Sequence, residues 1–145
     1  MINNRFRSGR LKRDKLVINP GWPSYANKTF SPAVVKNGLI FVSGLAADDE
    51  RGIAMSDTIL GQTEIIYKKL DAVLRAAGAT FQDVVKTVDY IVDSTDYRKT
   101  ADIRARYLGP DFPAATGVVV KRLLGKGLLI EIDAIAVVSR RRVRN

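Results

Sequence analysis

Two residue types are missing altogether from this 145-residue chain, cysteine and histidine. Without cysteine there is no disulfide framework, no thiolate nucleophile and no sulfur ligand for a metal. Without histidine there is no imidazole general base, no serine–histidine triad and none of the usual zinc sites. Long apolar runs are missing as well, so neither a membrane span of roughly 18 residues nor a signal-peptide apolar region is expected, and a soluble, cytoplasmic protein is anticipated. Any chemistry must therefore come from carboxylates, hydroxyls, amines, guanidinium groups, backbone or water.

Charge of one sign is in excess, at +9, but the excess is confined to the ends. Residues 1–15 carry six basic residues against the single Asp14, and residues 139–145 carry four arginines; the body, 16–138, has fourteen of each sign. The chain divides accordingly into a basic head, one domain over 16–138, and a basic tail. Such ends can reach phosphate backbones through counterion release, which keeps RNA binding as a minor expectation, but short charged termini are more often simply solvated.

Within the body the periodicities are clear. LVIN predicts a short strand and PGWPSYANKT a loop. In PAVVKNGLIFVSG two apolar runs flank Asn37 and Gly38, a dipeptide suited to the positive φ angles of a two-residue hairpin turn. From Ser56 to Ala77 the apolar positions recur at helical spacing, with Ser56 or Asp57 as the expected N-cap and Gly78 just past the end. VVKTVDYIV predicts a strand and TDYRKTADIRARYLG a second helix. ATGVVVKRLL and LLIEIDAIAVV predict two more strands around the turn at Gly125 and Gly127. About six strands and two helices make an α+β domain with both helices on one sheet face.

LLIEIDAIAVV poses a chemical question. Alternation puts Leu128, Ile130, Ile132, Ala134 and Ala136 on one face, and Leu129, Glu131, Asp133, Ile135 and Val137 on the other. The first face is purely apolar and belongs under the helices. The second, with two carboxylates among apolar neighbours, fits open solvent, a subunit interface or the floor of a cleft.

Several of these segments in this order, KNGLIFVSG, GQTEIIYKKLDAVL, VLRAAGATFQDVVKTVDYIVD, FPAATGVVVKRLL and LLIEIDAIAVV, resemble the Rid family, the reactive intermediate deaminases also called YjgF-like proteins. The resemblance covers about Phe30 to Val138. It implies a chorismate-mutase-like fold, a six-stranded mixed sheet with two helices on one face, assembled as a homotrimer with a small-molecule site between subunits. It implies hydrolysis of an enamine or imine to a ketone and ammonia, with no metal and no organic cofactor. Glu131 matches the family's cleft glutamate, the candidate catalytic residue, and Ser43 a small polar residue lining the same pocket.

Other positions depart from the family pattern. Ala115 stands where the deaminases usually have an arginine that clamps the substrate carboxylate; Gly117 stands where many have cysteine, with Thr116 between them in the same candidate binding stretch. Phe30 replaces a pocket tyrosine, and Thr100 an asparagine. The resemblance thus implies a substrate bulkier than, or different from, a small 2-imino acid, whose carboxylate would meet Lys36, Arg104, Arg106 or Lys121. A trimer that binds a ligand without turnover is the alternative, and an RNA-associated protein the lesser one. For Ser43, Gly117 and Phe30, backbone satisfaction, close backbone approach and interface packing are the competing roles.

Overall fold

The computed structural model describes residues 15–138. The basic tail, and the basic head up to Asp14, lie outside the described residues. The element order is β1 (Leu16–Ile18), a 3-10 turn (Pro23–Tyr25), β2 (Ala33–Lys36), β3 (Leu39–Ala46), α1 (Ile59–Ala76), a 3-10 turn (Phe81–Asp83), β4 (Val84–Ile91), a 3-10 turn (Tyr97–Thr100), α2 (Ala101–Leu108), β5 (Ala114–Val119) and β6 (Ile130–Val137).

The six strands form one mixed sheet in the order β1-β2-β3-β6-β4-β5. Only β4 and β5 run parallel; every other pair is antiparallel. The β2–β3 hairpin turns through Asn37 (φ 52) and Gly38 (φ 79), as the Asn-Gly dipeptide predicts. The last two strands, in contrast, are not neighbours. β6 inserts between β3 and β4, pairing with both, and β5 is left on the outer edge beside β4.

Helix α1 begins at Ile59 rather than nearer Ser56, and its N-cap is Thr58, not Ser56 or Asp57: Thr58 Oγ1 accepts the Gly61 amide at 3.1 Å. Ser56 Oγ instead accepts from the Thr58 amide, so it braces the cap from two residues earlier. The helix stops before Gly78, which takes φ +75. The predicted second helix is split, its first turn tightening into the 3-10 segment Tyr97–Thr100 before α2. Strand β5 is also shorter than its sequence pattern, ending at Val119.

Both helices lie on one face of the sheet. Ile66, Tyr67, Leu70, Val73 and Leu74 of α1 pack with Ile40, Ile130, Ile132 and Ala136, all essentially inaccessible to water. In β6 burial alternates residue by residue, Ile130, Ile132, Ala134 and Ala136 inward, as the apolar set predicts. At about 25 cal/mol per Å² of apolar surface, this face is the main source of stability. The opposite face is more exposed, with Phe41 opposite Ile135 and Leu39 opposite Val137.

Candidate functional site

The site begins with an irregularity in β3. Its register with β6 shifts between Val42 and Leu45, so that Ser43 and Gly44 form a bulge. Before the bulge the helix-facing residues are Ile40 and Val42; after it they are Leu45 and Ala47. Across the ladder, Glu131 of β6 lies opposite Ala46 and, on its other side, opposite Tyr90 of β4. The Glu131 side chain folds over Gly44. A Cβ placed there would fall 2.9 Å from Glu131 Cδ and closer still to its Oε1, so glycine is what gives the carboxyl its room.

That carboxyl is half-buried and has no hydrogen bond or ion pair among the described residues. Burial raises its pKa above the ordinary glutamate range, reinforced by the negative charges of Asp48 and Asp133. Asp133, by contrast, accepts a 2.9 Å hydrogen bond from the Tyr90 hydroxyl. The second carboxylate of the strand is therefore satisfied, and Glu131 is not.

Glu131 opens onto a cavity of about 790 Å³. One wall is aromatic. Trp22 and Tyr25 have ring centroids 5.8 Å apart, and Phe30 meets Tyr25 edge-on at 5.6 Å. Proline and glycine put this segment in a loop, and the 3-10 turn at Pro23–Tyr25 turns its rings toward the bulge. The Tyr25 hydroxyl holds its proton more tightly than an ordinary phenol, because of burial and then the charges of Asp48 and Glu131. The other wall is polar. Lys69 reaches from α1 to the Ala46 carbonyl at 2.7 Å, the Asp48 carbonyl at 2.8 Å and the Asp48 carboxylate at 2.9 Å. All three ammonium protons are thereby used. Asp49 is likewise occupied, by the Arg51 guanidinium and the amides of Arg51 and Ile53.

The candidate residues named from sequence fall into three places. Phe30, Ser43 and Glu131 share the cavity. Ser43 also meets its backbone role: its hydroxyl donates to the Ser31 carbonyl at 2.6 Å, and its amide to Pro32 at 2.9 Å. Ala115 and Gly117 lie two strands away on the β5 edge, opposite Thr87 and Asp89 and on the helix-covered side. The space beside Gly117 is taken by Tyr97, whose hydroxyl is 3.0 Å from where a Cβ would sit and donates to Asp89 at 2.8 Å. Thr100 is fully buried, its hydroxyl donating to the Tyr97 carbonyl at 2.7 Å. Thr116 is on the open face, accepting a 2.6 Å hydrogen bond from Lys86. Within one chain, then, three of the seven are assembled. Sequence reading missed Tyr25, Gly44, Asp48 and Lys69. Only Gly44 left a signal, as a glycine inside a strand pattern.

Among the described residues no cluster of three Asp or Glu side chains is placed to hold a metal ion.

This α+β sheet, with its unpartnered cavity carboxyl, has well-defined relatives. The endoribonuclease L-PSP family model matches residues 23–138. A RutC family protein of Pyrococcus abyssi is 37% identical over 108 residues, covering 74% of this chain and 84% of the relative. The human 2-iminobutanoate/2-iminopropanoate deaminase is 32% identical over 109 residues, covering 74% and 79%. Among solved structures, a Rid family protein of unknown function from Yersinia pestis superposes with a TM-score of 0.77 at 37% identity, covering 86% of this chain and 99% of that one. The architecture is thus the YjgF-like, chorismate-mutase-like fold. The chain belongs to the endoribonuclease L-PSP family, the Rid or YjgF group that includes the imine deaminases.

Proposed function

We propose that the protein is a Rid-like hydrolase that converts an enamine or imine to a ketone and ammonia, with Glu131 as the proton-transfer group. The observation that carries this reading is the half-buried Glu131 carboxyl, unpartnered and facing a cavity, in a chain related to imine deaminases. An imine carbon is already electrophilic, so the protein needs only to hold the substrate, position water and move protons. Burial and the nearby carboxylates shift Glu131 toward its protonated form, which suits it to give and take a proton. It donates its proton to the imine nitrogen, and the resulting carboxylate takes one from the attacking water as the C–O bond forms. The tetrahedral carbinolamine then collapses: Glu131 gives its proton to the amino nitrogen, the C–N bond breaks and ammonia leaves, and the carboxylate takes the hydroxyl proton as the C=O bond forms. Overall, imine plus water gives ketone plus ammonia, and Glu131 ends as it began. Ser43, whose proton is committed to Ser31, offers only lone pairs, which suit it to orient the water.

In this reading a homotrimer completes the site. The β5 edge of one copy, with Ala115, Thr116, Gly117 and the nearby Thr100, would approach the Glu131 cavity of the next. Ala115 supplies no carboxylate clamp, which favours a substrate other than 2-iminobutanoate.

The test is ammonia and ketone release from imines generated in situ by an amino acid oxidase, with semicarbazide to trap unprocessed imine. The wild type should accelerate release from a bulky imine, and Glu131→Gln should lose about 100-fold or more of that acceleration, the usual scale of acid–base catalysis. Equal rates for the two proteins and for buffer would leave a ligand-binding trimer as the reading.

A further inference from the structure

The cavity that holds Glu131 has two basic side chains in its wall, Lys28 and Lys69. Lys69 has no proton to spare, since Ala46, Asp48 and the Asp48 carboxylate accept all three. The other cations weighed from the sequence lie elsewhere. Arg104 is bound to the buried Asp89 at 3.2 Å, and Arg106 to Glu64 at 2.7 Å. Lys36 sits opposite Leu39 in the hairpin, and Lys121 follows the end of β5; neither lines the cavity.

Lys28 differs from all of these. Among the described residues its ammonium makes no ion pair and no hydrogen bond, and it is held instead over the Tyr25 ring at 4.2 Å from the centroid and near Phe30 at 5.4 Å. Two π-faces fix the position of the charge without consuming its three N–H donors. The result is a cation of known place with unspent hydrogen-bonding capacity, at the edge of an aromatic shelf and in the same cavity as the proton-transfer group. Of the carboxylates in the same wall, Asp48 and Asp49 have their own basic partners, and Glu50 and Glu131 make no ion pair among the described residues.

We infer that Lys28 anchors the carboxylate of a 2-imino acid whose side chain, aromatic or of similar apolar bulk, lies on the shelf of Trp22, Tyr25 and Phe30. This rests on the deaminase reading above and adds to it the cation that takes the acid and the bulk of the side chain. An arrangement of this kind reads the two ends of one molecule. The ammonium selects the acid, the rings select its body, and the imine carbon between them is left to face Glu131. A small 2-imino acid would use the ammonium alone and leave the aromatic shelf uncovered.

The test measures binding without turnover, so that it stands apart from the fate of Glu131. Calorimetry on the full chain would compare phenylpyruvate, phenylacetone, in which methyl replaces carboxylate, and pyruvate, which lacks the ring. Phenylpyruvate should bind at least about fivefold more tightly than either of the others, the scale of a partly exposed charge pair. Lys28→Met should reduce phenylpyruvate to the level of phenylacetone, and Lys28→Arg should keep the preference, with unchanged far-ultraviolet circular dichroism in both. The inference is overturned if the wild type does not bind phenylpyruvate, if Lys28→Met binds it as well as the wild type, or if pyruvate binds equally tightly. A protein that passes this test yet releases no ammonia would retain the ligand class and lose the hydrolase.

Discussion

At the scale of single residues, the site depends on one half-buried carboxyl with no partner among the described residues. Burial disfavours its charge, so the folded protein binds the Glu131 proton more tightly than the unfolded chain does. The sign follows directly. The contribution of this group to stability is fully present below the unfolded-state pKa and is lost as pH rises through the higher folded-state value. Above that range the ionised carboxyl is a net burden on the fold. Glu131→Gln, which cannot ionise, should therefore melt at a higher temperature than the wild type at pH 8, and the advantage should vanish below pH 4. Thermal unfolding followed by circular dichroism at the two pH values checks this; an equal difference at both would mean that the carboxyl is not sheltered. Glu131 was legible because strand alternation forces it off the helix-packed face. Its accomplices were not. Asp48 and Lys28 have no periodicity of their own, and they, like Gly44 with its lone signal of a glycine within a strand, acquire meaning only when a bulge and a loop bring them together.

At the scale of elements, Gln62 ties the first helix to the segment that delivers β6. Its side chain is fully buried, donating to the Ser56 carbonyl at 2.8 Å and the Gly127 carbonyl at 2.9 Å, and accepting from the Leu129 amide at 2.8 Å. Two chain segments more than 60 residues apart thus hang on one amide. Gln62→Leu would strand those backbone groups, at a cost on the order of 3 kcal/mol, because a buried polar group without a partner loses its solvation uncompensated. Urea denaturation should show the midpoint falling by that equivalent with an unchanged slope. The elements themselves were readable from sequence: α1 from its spacing, the hairpin from Asn37 and Gly38, β6 from its alternation. The order of the last two strands was not. Which neighbour β6 takes is decided by competition between β3, β4 and β5 for its two edges, and no local pattern encodes that. The start of α1 was misplaced for a related reason, since Ser56, Asp57 and Thr58 are all good caps and only the path of the incoming loop selects Thr58.

At the scale of the whole molecule, the fold leaves an unfinished surface. Phe41, Leu39 and Val137 are each more than a third exposed, and they cluster with Ile135 through the β3–β6 register. An apolar patch on a sheet face is a liability in a lone protein and an asset in an assembly. Light scattering should give a solution mass three times that of the chain, and Phe41→Glu should shift it toward the single chain by placing a charge in the patch. A wild type that runs as a single chain would separate the β5 edge from the Glu131 cavity and confine any activity to residues of one copy.

The bulge at Ser43 and Gly44 links these scales. A strand with one residue fewer there would pair with β6 without interruption, and the sheet would be the more regular for it. The same repair would close the niche in which the glutamate lies. Function here is housed in a flaw of the lattice, and pressure toward a more perfect ladder would work against the chemistry.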